Sequence, residues 1–268
     1  MANNQIPKWQ QQMRAQKEAE AAAAAKKKKT KKLTAVLMCA ALLIAAIVAV
    51  ILLLPKDATP ATEPTLESRL PSTDEPTVDM NAVKAAINSR QVSDFTDADK
   101  PTNYVKLTVK DYGELVVCLC PETAPITVDN FKTLVGRSFY DGLTFHRVYP
   151  GFMIQGGDPD GNGGGGSGTN IKGEFASNGV QNDLSHVRGV VSMARATPPD
   201  SASSQFFICH DDAQGSLDGR YAAFGYVIAG LETVDAICEV ELTYNDGGEL
   251  SSPVTPVVIE SARFVILN

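Results

Sequence analysis

Hydrophobic and polar positions divide the chain into segments with different periods. Residues 33–54 run twenty-two positions without a charged side chain. As a helix that stretch rises roughly 33 Å, enough to cross a bilayer's hydrocarbon core. A soluble helix of this length carries a polar stripe and this one has none. A cleavable signal has a shorter apolar run, so 33–54 is read as an uncleaved transmembrane anchor. Residues 55–99 follow as a linker. Its first part, 55–78, holds five prolines among Thr, Ser and acidic residues, and proline removes donors and fixes φ, which predicts a disordered, extended stalk. One short helix is predicted within 79–97.

From residue 100 the period changes to two. Tyr104, Lys106 and Thr108 alternate with Val105, Leu107 and Val109, and a second strand starts at Gly113 after the Asp111-Tyr112-Gly113 turn. A helix is predicted next, with Thr123 as its cap, Pro125 in the first turn, Val128, Phe131, Leu134 and Val135 on one face, and Gly136 at its end. Short apolar runs then recur at 143–148, 152–154, 189–194, 205–209 and 222–227. A second helix is predicted over 231–240 and a last strand over 257–267. Many short strands with two helices point to a mostly-β fold, a closed antiparallel barrel capped by helices. No 20–50-residue period recurs, which excludes a solenoid.

Charge sharpens the division. Residues 1–32 carry nine Lys/Arg against two Asp/Glu, whereas 100–268 carry eleven against twenty, within a whole-chain net charge of −7. The acidic body argues against a nucleic-acid partner. Six lysines in 26–32 abut the apolar run, so the positive-inside rule keeps 1–32 cytoplasmic and sends the body outside the membrane. The expected location is therefore the cell membrane, single-pass, with lipid contacted through 33–54. Five cysteines in 268 residues do not make a disulfide framework, and Cys118, Cys120, Cys209 and Cys238 are read as buried small hydrophobes.

The run Phe145-His146-Arg147-Val148-Tyr149-Pro150-Gly151-Phe152-Met153-Ile154-Gln155-Gly156-Gly157-Asp158 resembles the signature segment of cyclophilin-type peptidyl-prolyl isomerases, in a membrane-anchored form. Val191 to Ala196, Ser204 to Cys209, Leu217 to Tyr221 and Phe224-Gly225 follow in the family's order. The resemblance covers residues 100–268. It implies an eight-stranded closed barrel with two capping helices, and catalysis of X–Pro cis/trans interconversion in polypeptides by a monomer. Carried over by position, Arg147 is the catalytic residue. The implied substrate contacts are Phe152, Met153, Phe207 and Leu217 as a proline pocket, Gln155 and Gln205 as polar holders of substrate backbone, Ala194, Arg195 and Ala196 as the strand along which the peptide lies, and Tyr221. Arg195 stands where eukaryotic members have Asn, and Tyr221 where His is common. Ser216 falls where many members have the Trp that contacts cyclosporin, which implies weak drug binding. A catalytically silent proline-peptide binding module or chaperone on the same fold is the alternative.

That chemistry requires no covalent intermediate, so no metal or cofactor is expected. The X–Pro amide faces a barrier of about 18–20 kcal/mol from C–N resonance. A fixed guanidinium donating to the twisted nitrogen binds the transition state more tightly than either planar state. Other readings are weaker. Asp158, Asp160 and Asn162 mimic the start of an EF-hand loop, but Thr169 occupies the place of its bidentate Glu. The glycines of 161–168 lack a following Gly-Lys-Ser/Thr, and His146, His186 and His210 lack metal-ligand spacing.

Overall fold

The computed structural model describes residues 78–268. The basic head, the anchor at 33–54 and the stalk up to residue 77 lie outside the described residues. Among the described residues, no helix is long and apolar enough to cross a membrane.

The alternating stretch forms β2 (Tyr104–Val109), whose odd positions are buried, and β3 (Gly113–Leu119) pairs with it from Tyr104 opposite Cys118 to Val109 opposite Gly113. Asp111 and Gly113 both take positive φ in the connecting turn. The remaining strands are β1 (Phe95–Asp97), β4 (Arg147–Tyr149), β5 (Met153–Gly156), β6 (Val190–Met193), β7 (Phe206–Cys209), β8 (Ala223–Ala229) and β11 (Ile259–Leu267). With β2 and β3 they make one nine-stranded antiparallel sheet, in the order β1-β11-β2-β3-β8-β6-β7-β5-β4. A separate hairpin joins β9 (Leu242–Tyr244) to β10 (Leu250–Pro253).

The expected closed eight-stranded barrel is therefore corrected. The sheet has nine strands, and its end strands β1 and β4 pair with β11 and β5 rather than with each other. The reason lies in 142–145, of which 143–145 belong to the 143–148 run predicted as a strand. This segment meets the start of β11 through three backbone hydrogen bonds, Gly142 N to Ile259 O, Ile259 N to Leu143 O and Phe145 N to Val257 O, at 2.8–2.9 Å. They form no ladder, and β4 itself is only three residues long.

Four α-helices are described: α1 (Met80–Ala86) within the segment predicted to hold one short helix, α2 (Pro125–Gly136) and α4 (Leu231–Cys238) at the two predicted capping positions, and between these two α3 (Gln214–Leu217), which the sequence reading did not include. Helix α2 buries Val128, Phe131, Leu134 and Val135 as its periodicity predicts, and Phe131 packs its ring against Tyr140, Phe206 and Phe224 at 5.1–5.6 Å. Its cap differs from expectation. Fully buried Glu174 accepts from Ile126 N (3.1 Å), Thr127 N (2.7 Å) and the Thr127 hydroxyl (2.6 Å), while the Thr123 hydroxyl is buried without a hydrogen bond.

The boundary at residue 100 falls inside packed structure. Asp79 caps α1 by accepting from Asn81 N and Ala82 N. Asn88 N and Arg90 N donate to Val227 O and Ile228 O on β8, and β1 adds to β11. Gly230, at φ +79°, turns the chain from β8 into α4, and a Cβ there would lie 2.2 Å from Glu114 O. Only glycine fits that approach.

Candidate active site

Strand period places the site. On β4, β5 and β7, Val148, Ile154, Phe206 and Ile208 point into the main core, so their neighbours must face the other way. Register then sets Arg147 opposite Gln155 and Gln155 opposite Phe207, with Tyr149, Met153 and Cys209 one step along. Met153, Phe207, Cys209, Ala213 and Leu217 form a second apolar cluster on this outer face, with Phe152, Ala194 and Tyr221 packed against it.

A cavity of about 280 Å³ opens there, lined by Arg147, Phe152, Met153, Gln155, Ala194, Arg195, Phe207, Leu217 and Tyr221. An adjoining one of about 180 Å³ shares Gln155, Ala194 and Arg195 and adds Ala196, Gln205 and the glycines at 163–165. The two cavities together gather every site residue that the sequence singled out. The apolar notch is deep: Met153, Phe207 and Leu217 are 1–5% exposed.

Three side chains are held differently from expectation. Arg147 is gripped along one edge of its guanidinium by Glu249, with Nε to Oε2 at 2.6 Å and Nη2 to Oε1 at 2.7 Å. Its remaining nitrogen, Nη1, lies 3.4 Å from Gln155 Oε1 and 4.0 Å from Met153 Sδ. Gln155 Nε2 donates to Gln205 Oε1 (2.8 Å), and Gln205 Nε2 donates to Gly163 O and Gly165 O. The Gln205 amide thus already holds the glycine loop. Arg195 donates from Nε to Arg220 O and from Nη1 to Ala196 O and Thr197 O, and its guanidinium lies 4.8 Å over Tyr221 and 5.0 Å over Phe175. It is a wall that pins two loops.

The electrostatics follow from these contacts. Hydrogen bonding to Glu249 raises the Arg147 pKa, so the guanidinium stays charged. The same bonds draw the Glu249 carboxyl down to about 2. Beneath the notch, Phe207 stacks on His186 at 6.0 Å and 19°. Burial lowers the His186 pKa against the pull of Asp218. The neutral ring donates from Nδ1 to Asp218 Oδ1 (2.8 Å) and accepts the Ser192 hydroxyl at Nε2 (2.9 Å), a tautomer assigned from these partners. The arrangement has the order of a hydrolytic triad, yet Ser192 is fully buried and no substrate can reach it. It braces the floor.

The Asp158 loop also declares its use. Its carboxylate accepts from Asp160 N, Asn162 N and Gly163 N at 2.6–3.1 Å. Burial opposes its ionisation, but these amide bonds outweigh burial and lower its pKa. The oxygens an EF-hand-like loop would turn to a cation are directed at its own backbone. Cys118, Cys120, Cys209 and Cys238 are free thiols.

Glu249 is the site residue that sequence reasoning missed. Leu242-Thr243-Tyr244, then Asn245-Asp246-Gly247-Gly248, then Glu249-Leu250 reads as strand, turn and strand, and that signal would have brought β9 and β10 to notice.

A family model for cyclophilin type peptidyl-prolyl cis-trans isomerase/CLD matches residues 104–264. The chain is 40% identical over 161 residues to peptidyl-prolyl cis-trans isomerase A of Dickeya dadantii, covering 57% of this chain and 80% of that protein. It is 48% identical over 124 residues to peptidyl-prolyl cis-trans isomerase B of Bacillus subtilis, covering 46% and 82%. A cyclophilin type isomerase of Cryptosporidium parvum, solved in the presence of the dipeptide Ala-Pro, superposes with a TM-score of 0.52 at 30% identity, covering 60% of this chain and 98% of that one. This chain belongs to the cyclophilin-type peptidyl-prolyl cis-trans isomerases.

Proposed function

We propose that this chain is a peptidyl-prolyl isomerase tethered to the outer face of the plasma membrane, acting on X–Pro bonds of polypeptides as they are exported. One observation carries the catalytic part: Arg147 Nη1 stands at the rim of a notch whose apolar wall is formed by Phe152, Met153, Phe207 and Leu217.

The notch takes the proline ring. There the ring is held and water, which favours the planar and more dipolar amide, is kept away. Rotation about the C–N bond removes the nitrogen lone pair from conjugation and makes it a better acceptor. Nη1–H then donates to it, an interaction stronger in the twisted state than in either planar one. No bond breaks and no proton changes owner. Support for the location comes from the sequence alone: the apolar run at 33–54 behind a lysine cluster.

Two measurements test the proposal. A protease-coupled assay on a short Xaa-Pro peptide should show catalysed isomerisation, and uncatalysed rates at saturating protein would leave only a binding module. External protease added to intact cells should degrade the body and spare residues 1–32. Protection of the body until lysis would refute the outward topology.

A further inference from the structure

Arginine has four side-chain torsions, so a useful donor must be held. On one side of Arg147 lies the proline notch. On the other lies a polar cavity of about 340 Å³, lined by Arg147, Gln155, Tyr244, Asn245 and Asp246 among others, with room for a guanidinium and a carboxylate to attract it. The Arg147 side chain is 30% exposed. On the notch side only long contacts oppose the alternative, Nη1 to Gln155 Oε1 at 3.4 Å and to Met153 Sδ at 4.0 Å.

The β9–β10 hairpin supplies the restraint. Its turn is fixed by Asn245, which accepts from Glu249 N at Oδ1 (2.9 Å) and donates from Nδ2 to the fully buried Ser251 (3.2 Å). To a lesser degree than Arg147, Ser251 also helps hold the Glu249 carboxyl below its ordinary pKa. A carboxylate placed this way takes Nε and Nη2 together. Two parallel bonds along one edge fix the plane of the guanidinium as well as its position, which a point contact does not do. The only nitrogen left over is Nη1, on the notch side.

We propose that Glu249 is the positioning residue of the isomerase site, clamping Arg147 so that Nη1 faces the twisting amide. The inference rests on Arg147 as the donor. Without the clamp, Arg147 divides its time between notch and polar cavity. If the competent arrangement falls to a tenth of the population, turnover falls roughly tenfold. Ground-state binding of the proline ring by the apolar wall stays as it was, so the loss belongs to kcat.

The test uses the full-length chain and NMR exchange on an Xaa-Pro peptide, which separates kcat from KM. Glu249→Gln should lower kcat roughly tenfold with KM within about twofold, and Glu249→Asp should recover part of the loss. Arg147→Ala should lose more, and adding Glu249→Gln to it should lose nothing further. The Arg147 Nε–H resonance should be protected in the parent chain and lost in Glu249→Gln, a reading independent of turnover. Unchanged or raised kcat in Glu249→Gln, beside an inactive Arg147→Ala, overturns the clamp and leaves the donor in place. An additive loss in the double variant also overturns it, by showing that Glu249 acts elsewhere. An active Arg147→Ala overturns the donor itself.

Discussion

Replacing Arg147 by lysine keeps the positive charge and removes the fork. In the native site one guanidinium satisfies Glu249 through two nitrogens and still presents a third toward the notch. An ammonium is a compact charge at the end of a shorter stem, so whichever acceptor it chooses, it cannot serve both. Glu249 is ionised and close, so the ammonium should settle there. The transition state then loses its donor, a deletion worth about 2.7–4 kcal/mol, or 10²–10³-fold in kcat, by analogy with oxyanion-hole donors. Folding should suffer little. The pair is about a third exposed on both sides, and exposed pairs contribute only about 0–1 kcal/mol, part of which an ammonium retains. The assay is kcat from NMR exchange on a saturating Xaa-Pro peptide, alongside a urea melt. Turnover within fivefold of the parent would refute the reasoning, because positive charge alone would then suffice.

Other outcomes follow from the same contacts. Phe207→Ala should raise KM and cost about 3 kcal/mol of stability, since the ring is 4% exposed and packed on His186 and Tyr221; denaturant melts and steady-state kinetics check both. Glu174→Ala should cost roughly 2–4 kcal/mol in the same melts by leaving two buried amides and a hydroxyl at the start of α2 unsatisfied. Glu249 has its carboxyl lowered from 4.5 to about 2, so its pair with Arg147 stabilises the fold above pH ~4.5, and that contribution disappears as pH falls toward ~2. After solvent screening it amounts to about 1 kcal/mol, so stability measured across that window should fall less steeply in Glu249→Gln. Ser216 lies exposed on α3; if, as the resemblance implies, it stands in the place of a cyclosporin-contacting Trp, titration calorimetry with cyclosporin should give an affinity weaker than micromolar, tightened by Ser216→Trp.

What could be read in advance depended on whether neighbours in sequence were neighbours in space. The β2–β3 hairpin was legible because Val105, Leu107 and Val109 alternate with polar residues and the turn between the strands is short. The notch was legible because Arg147, Phe152, Met153 and Gln155 fall in one continuous segment that carries the resemblance and folds as β4, a turn holding Phe152, and β5, and the order of motifs supplied Phe207 and Leu217. Glu174 was not, since it caps a helix nearly fifty positions upstream, and Thr123 offered the local choice that the fold declined. Strand β1 was hidden because only Phe95 of its three residues is buried. Glu249 was hidden for a different reason. Its hairpin is short and polar, and the partner that gives it meaning lies 102 residues earlier.

Carrying the donor's support on a surface hairpin separates two kinds of change open to this protein over generations. Residues 242–253 contribute little to the main core, where Leu242 only packs at the margin. Their length and chemistry can therefore drift, or be exchanged by an engineer, while the sheet remains sound. Such edits would tune how fast the protein turns over and leave which ring it accepts to the buried wall, so speed and selectivity would be inherited as separate traits.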